Sequence, residues 1–362
     1  MDADFKKVDE IETENEIDDE PVPVTYDIMS YPSDSTLAGI VQMWKDGDIL
    51  VPDYQREFVW TINQSSLLID SFLCGLPIPS VFFYIDEQNK NLVIDGQQRI
   101  LSVVFFMEGY FGPENTQSHR KVFRLSGLSK KSPYYNKRFI DLDEPDQRKL
   151  KQAVLRAVNI RQIQPVGEST SAYHIFERLN TGGTPLKPQE IRNCVFRGDL
   201  CMKLKEANRD KNWRSILGRQ ALDKHQKDVE MLLRIFSLVD DAKNYEKPMK
   251  EFLNKAMRHH QNGNTSKVAN FFEIFPKVTE LVVSSLGETP FHLRGPLNLS
   301  ALDSVMCVLI ERHKNISADN LRSRYQSLRN SDEFLKVTTQ LGTTDTKTLQ
   351  DRIAIVRERL IS

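Results

Sequence analysis

Apolar residues recur along the first two hundred positions at two different periods, and the switches between them mark the elements. "SVFFYID" (80–86) and "NLVID" (91–95) are short apolar runs parted by the polar "EQNKN", which predicts two strands joined as a hairpin. "QSSLLIDSFLCG" (64–75) has helical spacing, with Leu67, Leu68 and Phe72 expected on one face and Gly75 as terminator. Residues 98–109 read as a second helix, and "LRAVNIRQI" (155–163) alternates as a strand. "STSAYHIFERLN" (169–180) reads as a helix with a hydroxyl cap. After a "TGGTPLKP" loop, "PQEIRNCVF" opens another helix with Pro188 in its first turn.

Beyond about Gly198 the strand signals fade and long helical patterns take over, as in "KDVEMLLRIFSLVDDA", "LSALDSVMCVLIERH" and "TKTLQDRIAIVRERL". The pattern therefore predicts an α+β domain over 25–198 and an all-helical domain over 199–362. Residues 130–147 form a polar, turn-rich insertion, and no internal repeat is present. No apolar run approaches the ~18–20 residues that span a bilayer, which predicts a cytoplasmic protein without membrane contact.

Charge changes this picture at one end. Residues 1–20 hold ten Asp or Glu against two Lys, whereas the other 342 residues hold 47 Lys or Arg against 40 Asp or Glu. Residues 1–24 are thus expected to be an acidic disordered tail: solubilising, or shielding a basic groove from nucleic acid. Such a start resembles neither a secretory nor a mitochondrial leader. The four cysteines, Cys74, Cys194, Cys201 and Cys307, lack zinc spacing and read as reduced, buried thiols. His259-His260 reads as a solvated helix surface.

Three polar clusters interrupt the apolar pattern. The first is Asp95-Gly96-Gln97-Gln98-Arg99, between a predicted strand and a predicted helix. Unsatisfied N–H groups at a helix start favour anions. Gly96 admits close approach of the backbone, and Arg99 supplies a planar fork suited to phosphate. Asp95 could hold a metal ion, orient a water or pair with Arg99. By itself the pentapeptide is equally readable as a helix cap with a structural ion pair. It is not a Walker A loop, since no Gly-Lys-Ser/Thr follows. The second cluster, "VPDYQREFVW" (51–60), carries Arg56 four residues before Trp60: a phosphate contact, or an arginine stacked on a core tryptophan. The third, "FERLNTGGTPLKPQEI" (176–191), carries Asn180 and Thr181 beside Gly182-Gly183, which serve either a ligand or a plain helix stop.

Together, "YQREFVW", "LIDSFLCGLPIPSVFF", "VIDGQQRILSV" and "FERLNTGGTPLKPQEIRN" resemble the N-terminal domain family of GmrSD-type restriction proteins, domain of unknown function 262, over roughly residues 30–200. The resemblance implies a ParB/sulfiredoxin-like fold that binds and hydrolyses a nucleoside triphosphate (NTP) with Mg²⁺. It places Asp95 (catalytic and metal-binding), Gly96, Gln97, Gln98 and Arg99 (catalytic and nucleotide-binding) in the site, with Arg56, Asn180 and Thr181 as further nucleotide contacts. Many relatives continue into an HNH nuclease. Here His225, His259, His260, His292 and His313 are scattered through helical contexts, so this chain resembles the short forms, and DNA cleavage by it alone is not expected.

The expected function is then a nucleotide-dependent sensor or switch in modification-dependent restriction and phage defence, acting with DNA or a separately encoded effector. The alternative is a non-catalytic nucleotide- or nucleic-acid-binding regulator of a partner toxin or nuclease. Which NTP is used, and whether the chain self-associates, the residues leave open.

Overall fold

A computed structural model describes residues 27–51, 58–112, 120–164, 170–179 and 186–361. The acidic tail lies outside them, as do Arg56, Asn180 and Thr181. The chain divides into two compact units. One takes in residues 25–167 and 174–186, and the other 168–173 and 187–362.

Among the described residues the first unit has seven strands: β1 (Asp27–Thr36), β2 (Ile49–Leu50), β3 (Val81–Ile85), β4 (Asn91–Asp95), β5 (Tyr110–Phe111), β6 (Lys121–Val122) and β7 (Val154–Gln164). Five of them form a mixed sheet in the order β1-β7-β3-β4-β2, and β5 with β6 makes a separate two-stranded ribbon. β3 and β4 pair antiparallel as the predicted hairpin, with Phe82 opposite Asp95, while β7 lies parallel to β3. The helices are α1 (Leu37–Lys45), α2 (Ile62–Cys74), α3 (Gln97–Glu108) and α4 (Glu144–Gln152), with α5 (Ser171–Leu179) falling partly in each unit.

Alternation decides which strand residues enter the core. Val81, Phe83 and Ile85 of β3 join Val93, Leu155 and Ala157 on one face, packed with Ile40, Ile69, Phe72, Ile100 and Val104 from the helices. Tyr84, on the opposite set of β3 positions, meets Phe176 of α5 at 6.4 Å between ring centroids. In α2 the buried stripe runs through Leu68, Ile69, Phe72 and Leu73. Leu67 is 52% exposed, contrary to the expectation from sequence: the 100° helical step turns it away from that stripe. Cys74, the last residue of α2, is likewise exposed rather than buried, unlike the other three cysteines. The stretch 130–147 is not turns alone. It contains a 3₁₀ segment, Phe139–Asp141, and the start of α4, which buries Leu150 completely.

The second unit is helical: α6 (Pro188–Val195), α7 (Asp199–Ala207), α8 (Lys211–Leu217), α9 (Lys227–Leu238), α10 (Met249–His259), α11 (Ser266–Leu286), α12 (Leu299–Glu311), α13 (Ala318–Arg329), α14 (Asp332–Thr339) and α15 (Thr346–Ile361). With the sheet of the first unit this makes the chain α+β. Residues 300–310 of α12 are buried without a break, so α12 is the central helix of this unit. At its middle Asp303 accepts from Arg234 Nε at 2.6 Å and from Arg352 Nη2 at 3.4 Å, all three side chains being at most 3% exposed. His260 does not fit a solvated surface. Its Nδ1 lies 2.8 Å from Thr265 Oγ1, and its ring meets Phe236 edge-on, while His259 is exposed. Among the described residues no helix is long and apolar enough to cross a membrane.

Candidate functional site

The stretch 95–99 is less a loop than a corner. Asp95 ends β4, Gln97 opens α3, and Gly96 is the only residue between them. Gly96 sits at φ 100°, ψ 9°, in the left-handed region that glycine enters without steric cost. A Cβ there would lie 2.7 Å from Val81 Cβ, so the position also demands that no side chain be present. α3 therefore starts without a side-chain cap and with no acidic residue in its first turn. Its positive end is left to whatever anion approaches. The helix is anchored behind this end, since Ile100 to Phe106 are all buried.

Asp95 and Arg99 face each other across the corner. Arg99 Nη2 donates to Asp95 Oδ2 at 2.6 Å and to Ser80 O at 3.2 Å. Asp95 is thus not the helix cap; it makes the i, i+4 ion pair. The pair is half-buried, with side-chain exposures of 38% for Asp95 and 17% for Arg99. Among the described residues Arg99 Nε is buried without a hydrogen-bond partner, and nothing bonds Asp95 Oδ1. Arg99 is thus left with one buried N–H unmatched among the described residues, and Asp95 with one oxygen outside the ion pair.

The two glutamines differ. Gln98 Oε1 accepts from Val59 N and Trp60 N, both at 3.1 Å, which ties the end of the "YQREFVW" segment to the first turn of α3. Gln97 is half-buried at the helix start. Asp95, Gly96, Gln97, Gln98 and Arg99 are therefore brought together at one corner, while Arg56, Asn180 and Thr181 lie outside the described residues. Sequence reasoning missed Ser80 and Val81. Ser80 acts through its carbonyl and Val81 through its proximity to Gly96, so neither side chain advertises its part. Their only trace was their place at the end of "LIDSFLCGLPIPSVFF".

The second half of the third motif builds a buried polar network inside the helical unit. Arg192, 1% exposed, donates to Asn254 Oδ1 at 2.9 Å, Gln189 Oε1 at 3.2 Å and Glu230 Oε2 at 2.7 Å. Glu190 accepts from Lys187 N at 2.7 Å and lies 3.3 Å from His225 Nδ1, and Asn193 donates to Gln226. These contacts close on one another, and they fix where α6 starts. Among the described residues no three His, Cys, Asp or Glu gather as metal ligands.

Residues 37–197 match the family described as GmrSD restriction endonuclease, N-terminal domain. No curated protein matches the chain.

Proposed function

Since residues 37–197 match the GmrSD restriction endonuclease N-terminal domain family, we propose that this protein is a nucleotide-dependent switch in restriction and phage defence. In this reading it binds an NTP with Mg²⁺ and acts with DNA or a separate effector. The observation that carries the reading is the corner at 95–99: an uncapped helix start, a glycine that cannot bear a side chain, and an acid–arginine pair in which Arg99 Nε is buried without a partner among the described residues and Asp95 is partly exposed.

The residues present suit the ligand. Mg²⁺ is usually held by one or two carboxylates together with phosphates and waters, not by a full protein cage. Asp95, with Oδ1 unbonded among the described residues, meets that need. The ion, when bound, would neutralise charge on the phosphate oxygens. The N–H groups at the start of α3 and the Arg99 guanidinium would bind the phosphates. Gln97 is assigned to the same ligand, as are Arg56, Asn180 and Thr181. Asp95 would orient the attacking water toward the terminal phosphate. The test is phosphate release from each of the four NTPs with Mg²⁺, with and without modified DNA. Turnover in the wild type that Asp95→Ala abolishes is the expected result. Binding without release would remove the hydrolytic step, and turnover that survives the substitution would remove Asp95 from it.

One observation favours the non-catalytic alternative. Asp95 Oδ2 is held by Arg99 at 2.6 Å, which ties up one of the two carboxylate oxygens that hydrolysis would use. In that version the same corner binds nucleotide and regulates a partner toxin or nuclease, and the release assay separates the two.

A further inference from the structure

The neighbouring glutamines Gln97 and Gln98 look interchangeable in the sequence, but the Gln98 side chain has a defined partner, two backbone N–H groups of the upstream segment. We infer that Gln98 is a positioning residue, which fastens the strap Phe58–Trp60 across the first turn of α3 and so fixes the wall beside the Asp95–Arg99 pair. Val59 and Trp60 belong to no strand or helix, so no ladder receives their N–H groups. Both converge on the single atom Gln98 Oε1, each at 3.1 Å. An oxygen already accepting two donors has little left for a ligand, so the carbonyl end of Gln98 is committed to the chain itself.

The strap is held on either side of this clasp. Phe58 packs edge-on against Phe105 at 4.9 Å and Phe111 at 5.4 Å, which seats it on the buried flank of α3. Thr61 closes the other side as the cap of α2, in a reciprocal box with Gln64. Between these anchors lie two backbone N–H groups that would otherwise need water, and Gln98 supplies their acceptor. The first turn of α3 is thus tied to two places distant in sequence: Arg99 to Asp95 at the end of β4, and Gln98 to a strap 38 residues upstream. That this wall matters for a nucleotide rests on the function proposed above, whereas the clasp does not.

The test uses the full chain with Gln98→Leu, which removes the acceptor at similar size, and Gln98→Glu, which keeps one. Hydrogen exchange is read first, without nucleotide, at the Val59 and Trp60 amides. We expect slow exchange in the wild type and in Gln98→Glu. In Gln98→Leu it should be faster by about tenfold or more, with amides of β7 and α3 unchanged as evidence of an intact fold. Affinity for MgATP, MgGTP, MgCTP and MgUTP is then measured on the same proteins. Whichever nucleotide binds the wild type should bind Gln98→Leu more weakly. The clasp is overturned if Gln98→Leu leaves both amides protected, or if Gln98→Glu loses protection to the same extent. Unchanged affinity despite faster exchange would overturn the positioning role. If no nucleotide binds the wild type, the proposed function fails, and the exchange pattern still decides the clasp.

Discussion

Gly96 and Gly109 bracket the same helix and show how one residue type answers two demands. Both have positive φ, at 100° and 88°, but an added Cβ at Gly109 meets nothing within 4 Å, whereas at Gly96 it meets Val81. Gly109→Ala should cost about 1 kcal/mol of conformational strain, and Gly96→Ala about 1–3 kcal/mol more. Chemical denaturation of the two variants checks this difference. His292 gives a second prediction. Burial depresses its pKa below the ordinary value of 6.5, against a smaller opposing effect of the Thr289 backbone, and its Nδ1 is buried without a partner among the described residues. With the folded pKa lowered, the unfolded chain takes up the proton first. The contribution of this residue is therefore fully present above pH 6.5 and is lost as pH falls through the depressed folded value. Denaturation midpoints should accordingly fall more steeply below pH 6.5 in the wild type than in His292→Gln, and equal slopes would contradict it. At this scale the sequence was informative where side-chain chemistry is the message. Asp95, Gly96 and Arg99 could be picked out as polar residues inside an apolar run. Their pairing could not be chosen over capping, because both use the same residue types at the same spacing.

At the scale of elements, α2 carries the most direct test of local rules. Thr61 accepts from Gln64 N at 3.3 Å, and Gln64 Oε1 accepts from Thr61 N at 2.9 Å. Thr61→Ala should destabilise the first unit by about 1 kcal/mol, read from a denaturation curve, and Thr61→Ser should recover most of the loss. Elements with a strong apolar period were legible almost to the residue, among them the β3–β4 hairpin, α3, β7 and α12. Two others were hidden for physical reasons. β1, an edge strand of sequence DIMSYPSDST, has no fully buried residue and carries Pro32, so it shows no period. α4 has a single buried residue, Leu150, and looked like polar insertion. Its acids in the first turn and Pro145 near the start were nonetheless helix signals. The turn between a strand ending at Asp95 and a helix opening at Gln98 was expected to hold two residues and holds one, because α3 begins at Gln97, among polar residues, before the apolar period does.

At the scale of the whole molecule, the helical unit is organised around a charge that no periodicity announces. Asp303 sits at the centre of α12 between Arg234 and Arg352, with no exposed surface. Asp303→Asn should remove about 3–5 kcal/mol, because two guanidinium groups would stay buried without their carboxylate. The unfolding transition of the helical unit should shift, and an unshifted transition would show that the arginines are satisfied elsewhere. The central claim concerns the other unit: the corner of β4 and α3 is a triphosphate site. The most direct measurement is an isothermal titration of the full chain with ATP, GTP, CTP and UTP in Mg²⁺, repeated on a folded Arg99→Ala variant. The account predicts that at least one nucleotide binds the wild type and that Arg99→Ala weakens it by about tenfold or more. Heats that show no binding of any of the four, or equal affinity in the variant, would contradict it.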